Sequence, residues 1–105
     1  MKEIPRLPPK IESSLKIIAK TGKIEIGLNN VIWIAKHRPK QVKMIIISKN
    51  LPEKLFEKLK KNIRDKKIKI YQALKTNIEL GEAIGRPHSV ATLAILDYGA
   101  IQLEE

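Results

Sequence analysis

The sequence predicts an α/β fold, a three-layer α/β/α sandwich around a small, largely parallel or mixed sheet. Two observations support this prediction. Along the 105 residues, short apolar segments typical of strands alternate with longer segments whose apolar side chains recur at helical spacing. Strands joined through helices need crossover connections, which place helices on both faces of the sheet. A chain of this length forms one small domain with a hydrophobic core.

The N-terminal segment differs in composition from the rest of the chain. Residues 1–10 carry three prolines among basic side chains. This predicts an extended, basic N-terminal extension ahead of a single domain over residues 11–105. A frayed terminus is the alternative interpretation. Apolar side chains at helical spacing then predict a first helix over residues 10–21.

Two predicted strands flank a second helix. The alternating residues 23–26 predict the first strand. Gly27 turns the chain into a helix over residues 28–38. The predicted buried stripe of this helix is Leu28, Val31, Ile32 and Ala35. The continuously apolar segment within residues 43–48 predicts a central strand that is covered on both faces.

The second half of the chain continues this alternation. A third helix is predicted from residue 50 onward. Its predicted core stripe is Leu55, Leu59 and Ile63, with Phe56 beside it. Residues 68–71 and 91–96 predict two further strands. Between them, Thr76 and Glu79 have the spacing of a capping box that begins a fourth helix.

The charge of the chain favours a polyanionic partner. Lys and Arg outnumber Asp and Glu by 21 to 11, a formal net charge of +10, while 43% of the residues are hydrophobic. The chain therefore combines a core with a strongly basic surface, and one face should be electropositive. Two lysine clusters, at residues 58–61 and 66–67, are interpreted as a solvated face.

Several classes of function lack support in the sequence. Without cysteine, neither a disulfide nor a thiolate metal site is possible. His37 and His88 have no suitably spaced acidic or histidine partner, Asp97 has no catalytic partner, and no glycine loop for phosphate is present. We therefore expect no enzyme, metal, cofactor or small-molecule substrate. The apolar runs are too short to cross a membrane, and we expect a soluble, cytoplasmic protein.

The polar face of the second helix is one candidate binding surface. Asn29, Asn30, Trp33 and His37 all lie opposite the predicted buried stripe. Two amides at a helix N-terminus can read base edges, and an indole beside them can stack on a splayed base. The alternative is that the two Asn residues merely cap the helix. Trp33 would then be covered by the proline-rich segment or by a partner protein.

The end of the fourth helix is the second candidate surface. Gly85 can adopt the left-handed conformation that ends a helix, and Pro87 cannot continue one, so Arg86 and His88 lie on a sharply defined exposed loop. Gly81 inside the helix costs about 1 kcal/mol relative to Ala, which indicates the close approach of another group. A neighbouring helix would also explain it.

Together these two surfaces resemble the L30e family of large-subunit ribosomal proteins, within the L7Ae superfamily that binds kink-turn RNA. The resemblance covers roughly residues 11–99. It rests chiefly on two motifs, Gly27-Leu28-Asn29-Asn30 and Glu79-Leu80-Gly81 with Gly85-Arg86-Pro87. It implies the α/β/α sandwich and a bent RNA helix as ligand, with the start of helix two at guanine edges and the loop after helix four over flipped-out nucleotides.

The resemblance also implies the RNA-binding residues. They are Gly27, Asn29, Asn30, Trp33, Lys36, Asn50, Glu79, Leu80, Gly81, Gly85, Arg86, Pro87 and His88, with Ile84 and Val90 in support. Three positions depart from the family. Relatives often carry Lys or Glu at Asn30, Lys at Trp33 and Phe at His88, so a smaller ring remains for stacking in the loop.

By this resemblance the chain is expected to be a non-catalytic constituent of the large ribosomal subunit in the cytoplasm. Its partners would be a ribosomal RNA kink-turn and other large-subunit proteins. Two alternatives stay open at this point. One is a kink-turn-binding protein of guide-RNA particles, and the other is a divergent protein-interaction module, which the replacement of a basic residue by Trp33 favours.

Overall fold

A computed structural model describes residues 4–101 of the chain, so residues 1–3 of the predicted extension and residues 102–105 of the predicted domain lie outside the described residues. Five α-helices and four strands alternate over the described range, with one short 3-10 helix. In chain order they are α1 Pro9–Ser13, α2 Leu15–Thr21, β1 Lys23–Ile26, α3 Leu28–His37, the 3-10 helix Pro39–Gln41, β2 Met44–Ile47, α4 Glu53–Asn62, β3 Ile70–Gln72, α5 Asn77–Ala83 and β4 Thr92–Asp97.

The four strands form one mixed sheet in the order β1-β4-β2-β3. β4 is antiparallel to both of its neighbours, β1 and β2. β3 is parallel to β2. It follows that β1, β2 and β3 all point the same way, so their carboxyl ends lie at one end of the sheet, together with the start of β4. We call this end of the strands the carboxyl edge.

Successive side chains of the central strand β2 enter different cores. Met44 and Ile46 pack on the side of the sheet that carries α1, α2 and α5. Ile45 and Ile47 pack on the opposite side, against α3 and α4. All four are buried, as the continuous apolar run predicts for a strand covered on both faces. The predicted three-layer α/β/α sandwich around a mixed sheet is therefore confirmed.

The described part of the predicted N-terminal extension packs against β3. Gln72 N–H donates to the Pro5 carbonyl over 2.9 Å, and Leu7 N–H donates to the Gln72 carbonyl over 2.9 Å. Leu7 is only 4% exposed and belongs to the core beside α1, α2 and α5. Residues 5–7 thus add a short extended segment to the sheet edge, and packing against the domain begins ahead of residue 11.

The predicted first helix, residues 10–21, is wrong in one respect, because it is two helices. The backbone at Ser14 departs from helical geometry, with φ −107° and ψ 7°. The preceding Ser13 hydroxyl donates to the Lys10 carbonyl over 3.1 Å. Serine side chains offer the backbone such competing hydrogen bonds and favour helix ends, which accounts for the break. The apolar stripe on either side of it is buried as predicted: Ile11, Leu15 and Ile18.

Two further helices bury a slightly different stripe from the predicted one. In α4, Phe56 and Leu59 are buried, whereas the predicted core residue Leu55 is 38% exposed. In α3, Ile34 joins the core while Leu28 and Ile32 are only half-buried. The same cause explains both differences. The spacing of apolar residues predicts that one face of a helix is buried, but the rotation of the helix on the sheet decides which of these residues lie at the centre of that face.

Candidate nucleic-acid interface

The two predicted binding surfaces meet at the carboxyl edge of the sheet. Gly27, between β1 and α3, donates its N–H to the Thr92 carbonyl at the start of β4 over 2.9 Å. Ser48, just after β2, donates to the Ala91 carbonyl over 2.9 Å. The start of α3, the β2–α4 loop and the last residues of the α5–β4 loop are therefore joined by backbone hydrogen bonds. Residues that are far apart in sequence share one surface.

The end of α5 has the geometry that the sequence predicts. Gly85 has φ +79°, in the left-handed region that favours glycine. Its N–H donates to the Glu82 carbonyl over 3.0 Å, and Arg86 N–H donates to the Gly81 carbonyl over 2.9 Å. These two bonds form a Schellman motif, which satisfies carbonyls at the end of the helix. Arg86, Pro87 and His88 are exposed beyond it.

The loop after α5 folds back onto the helix at Gly81. A β-carbon at this position would collide with the carbonyl oxygen of His88. Farther along, Val90 N–H donates to the Asn77 carbonyl at the start of α5 over 2.9 Å. The group that approaches Gly81 is thus the backbone of the exposed loop itself, and not a neighbouring helix. Gly81 therefore lets the exposed loop pack closely against α5.

The start of α5 is fixed by the predicted capping box. The Thr76 hydroxyl accepts from Glu79 N–H over 3.3 Å, and the Glu79 carboxylate accepts from Thr76 N–H over 2.9 Å. The hydrogen bond from the Thr76 backbone, and next the one from its hydroxyl, lower the pKa of Glu79 below its ordinary value near 4.5. The carboxylate of Glu79 therefore caps its own helix.

This lowered pKa predicts a pH-dependent contribution to stability. A carboxyl group whose pKa is lower in the folded chain stabilises the fold above its unfolded pKa, and that stabilisation is lost as the pH falls through the folded value. We therefore expect Glu79→Gln to be less stable than wild type at pH 7 and to approach it as the pH falls below the ordinary pKa of a glutamate and through the lowered pKa of Glu79. Urea unfolding of both proteins at several pH values measures this. A difference that stays constant with pH would contradict the assignment.

Asn50 holds the β2–α4 loop to α5. Its side-chain amide donates to Asn77 Oδ1 over 3.0 Å, and its own Oδ1 accepts from Asn77 N–H over 2.9 Å. The second bond satisfies one of the free donors at the start of the helix. Family resemblance placed Asn50 among the RNA-binding residues. The structure gives it a definite task, because it joins two segments of the carboxyl edge.

The start of α3 is shaped by Gly27 rather than by a capping side chain. Gly27 has φ +100°, and no side chain caps the helix. The Asn30 amide donates back to the Ile26 carbonyl over 2.9 Å. Asn29 is exposed, with its Oδ1 3.5 Å from Lys58 Nζ. The interpretation of the two Asn residues as helix caps is therefore wrong. Instead, Asn29 Oδ1 accepts from Lys58 Nζ, and its exposed side chain lies at the protein surface.

Trp33 is exposed on the polar face of α3, as predicted. Its side chain is 51% exposed and stacks on His37, with ring centroids 4.5 Å apart and an interplanar angle of 17°. Arg38 lies 5.9 Å from the indole centroid. Residues 5–7 run along β3, at the opposite edge of the sheet from β1. The described part of the proline-rich segment therefore does not cover the indole.

Not every predicted site residue lies with the others. Lys36 is two helical turns beyond Asn29, beside Pro39 and Arg64, and so away from the carboxyl edge. Leu80 is fully buried in the core. Conversely, Arg86 lines a surface groove with two α2 side chains, Lys16 and Lys20. No pattern in the sequence singles out these lysines, since their proximity to Arg86 arises only from tertiary packing.

Two other kinds of site are absent from the described residues. Between residues 4 and 101, the His, Asp and Glu side chains form no group of three that could hold a metal ion. Over the same range, no helix combines the length and hydropathy that crossing a bilayer requires.

Comparison with known proteins agrees with this architecture. Residues 9–104 match the model of the ribosomal protein L7Ae/L30e/S12e/Gadd45 family. The large ribosomal subunit protein eL30 of Methanosarcina mazei is 30% identical over 93% of this chain and 89% of its own length. Its counterpart in Archaeoglobus fulgidus is 35% identical over 84% of this chain and 95% of its own length.

Two further matches are a ribosomal protein and a solved structure. The eL30 protein of Tetrahymena thermophila is 30% identical over 85% of this chain and 84% of its own length. A solved structure of a Bacillus halodurans protein of unknown function superposes with a TM-score of 0.70 at 22% identity, covering 86% of this chain and 87% of that one. This last likeness concerns the fold. The chain belongs to the ribosomal protein L7Ae/L30e/S12e/Gadd45 family.

Proposed function

We propose that this chain is a non-catalytic, structural constituent of the large ribosomal subunit and that it binds a kink-turn RNA. The relatives named eL30 support the ribosomal role, and the net charge of +10 suits an RNA partner. The observation that carries the proposal is the shared carboxyl edge. There the residue directly before α3, two positions ahead of Asn29, is hydrogen-bonded to Thr92. Thr92 directly follows the loop that carries Arg86 and His88.

Each part of this surface has a role that its chemistry suits. Around Gly27 there is room for a close approach, because a β-carbon there would meet only Asn30 Nδ2, at 3.7 Å. The neighbouring Asn29 amide can donate to and accept from the edge of a base. Arg86, beside Lys16 and Lys20, supplies positive charge for phosphates, and the exposed His88 ring can stack on an extruded base.

The test of this proposal is the affinity of Asn29→Ala for a kink-turn hairpin. Loss of a good base contact costs about 1–3 kcal/mol, so we expect Kd to rise by roughly tenfold or more. Gln41→Ala is the control. Gln41 carries an exposed side-chain amide in the 3-10 helix that precedes β2, at the other end of the strands from Asn29, so its removal should leave Kd unchanged.

Equal affinities of wild type and Asn29→Ala would overturn the RNA-binding proposal. In that case the exposed indole of Trp33 would favour the role of a protein-interaction module. The ribosomal half of the proposal is tested separately by sucrose-gradient sedimentation. We expect the chain in the large-subunit fractions, whereas co-purification with small guide RNAs would assign it to a different particle.

A further inference from the structure

The outward face of α4 carries a row of lysines at helical spacing. Lys54, Lys58 and Lys61 are all exposed and follow one another at intervals of four and three residues, so they lie above one another on one face. They line an open surface groove with four further residues: Glu57, Lys60, Asn62 and Arg64. Five of the seven lining residues are cationic and one is anionic, a local excess of four positive charges.

Glu57, three residues after Lys54 and four before Lys61, is the one acidic side chain among the described residues that line the groove. The described ion pair between Lys75 and Glu12 lies elsewhere in the molecule. Like charges three and four positions apart destabilise a helix by about 0.2–0.5 kcal/mol per pair. Glu57 offsets part of this repulsion, but one carboxylate among five cationic side chains leaves the positive charge concentrated, which favours a bound polyanion.

The lysine row lies next to the proposed RNA site. α3 and α4 pack against each other, and each begins just after a strand that ends at the carboxyl edge. Lys58 Nζ lies 3.5 Å from Asn29 Oδ1, so the row passes beside the proposed base contact. From Lys54 to Lys61 it extends about 10 Å along the helix axis.

We propose that the lysine row of α4 binds the phosphate backbone of an RNA stem that continues past the kink-turn. This inference rests on the proposed function, because the same RNA would touch both surfaces. Asn29 at the carboxyl edge would fix the register of the RNA, and the row would add interactions that depend on charge alone. From the sequence alone both lysine clusters are interpreted as a solvated face, whereas the proximity of Lys58 to Asn29 sets the first cluster apart from the second.

The test compares two charge-matched double variants on two RNAs. Lys54→Gln/Lys61→Gln weakens the row but keeps Lys58 beside Asn29. Lys66→Gln/Lys67→Gln removes the same charge from the loop between α4 and β3. This loop leads into the start of β3, at the other end of the strands from the carboxyl edge. One RNA is a kink-turn hairpin with stems of minimal length, and the other carries the same kink-turn with extended stems. Kd is measured over a range of salt concentrations.

On the extended RNA we expect the row variant to reduce the slope of log K against log salt by about 1.4–1.8, since each phosphate that a lysine no longer neutralises lowers it by roughly 0.7–0.9. On the minimal RNA it should bind as the control does. Equal slopes for both variants on the extended RNA would overturn the inference. If, in that case, the row variant no longer bound to a polyglutamate column while the control variant still did, the row would be assigned to the binding of an acidic protein instead. Weakened binding of Asn29→Ala tests the proposed function independently.

Discussion

Replacing Gly81 by alanine is expected to destabilise the domain and to weaken RNA binding at the same time. The added methyl group would collide with the carbonyl oxygen of His88, which belongs to the backbone and cannot rotate away. Overpacking costs about 1–3 kcal/mol, of which the better helix propensity of alanine offsets about 1 kcal/mol. Because the carbonyl cannot move aside, the cost should lie in the upper half of that range, which leaves a net destabilisation of about 1–2 kcal/mol in urea unfolding. We also expect at least a roughly tenfold rise in Kd for a kink-turn hairpin.

Gly85 provides the matched control, because it is the next glycine along the same segment. A β-carbon there would meet no other atom within 4 Å, so only the positive φ opposes a side chain. Asparagine tolerates this conformation better than other residues, and Gly85→Asn should keep close to wild-type stability. If Gly81→Ala behaved like Gly85→Asn, the loop would not depend on its packing against α5.

The sequence predicted most reliably those features that are set by local chemistry. The capping box at Thr76 follows from the spacing of two side chains, and the left-handed Gly85 follows from a residue type that adopts this conformation without strain. The burial of β2 on both faces follows from its unbroken apolar run. Each of these features involves residues within a few positions of one another, so no tertiary information is needed.

Features that depend on distant segments could not be derived in this way. The link between Asn50 and Asn77 joins residues from different loops, and the placement of residues 5–7 beside β3 depends on where that edge lies. The phase of the α4 stripe, with Leu55 outward, is likewise set by packing against the sheet. Of the candidate site, residue types and motifs were predictable. Their convergence at the carboxyl edge required the strand order.

Leu80→Ala is expected to have the second large effect. This substitution tests whether Leu80 contributes to stability or contacts RNA directly. Family resemblance placed Leu80 among the RNA-binding residues, but its side chain is 0% exposed and belongs to the core beneath α5. Truncating a fully buried leucine costs about 2–5 kcal/mol through reduced burial and the cavity left behind. We expect Leu80→Ala to be destabilised by that much in urea unfolding, while Ile78→Ala, on the same helix and 64% exposed, stays close to wild type.

The temperature dependence of binding then distinguishes the two roles of Leu80. If Leu80 acts only through packing, the folded fraction of Leu80→Ala binds a kink-turn hairpin with nearly the wild-type Kd under conditions that favour folding. The decline of binding on warming should follow the unfolding curve. A Kd that stays raised in a fully folded sample would contradict this, since it would mean that the cavity beneath Gly81 and the exposed loop alters the RNA-binding surface itself.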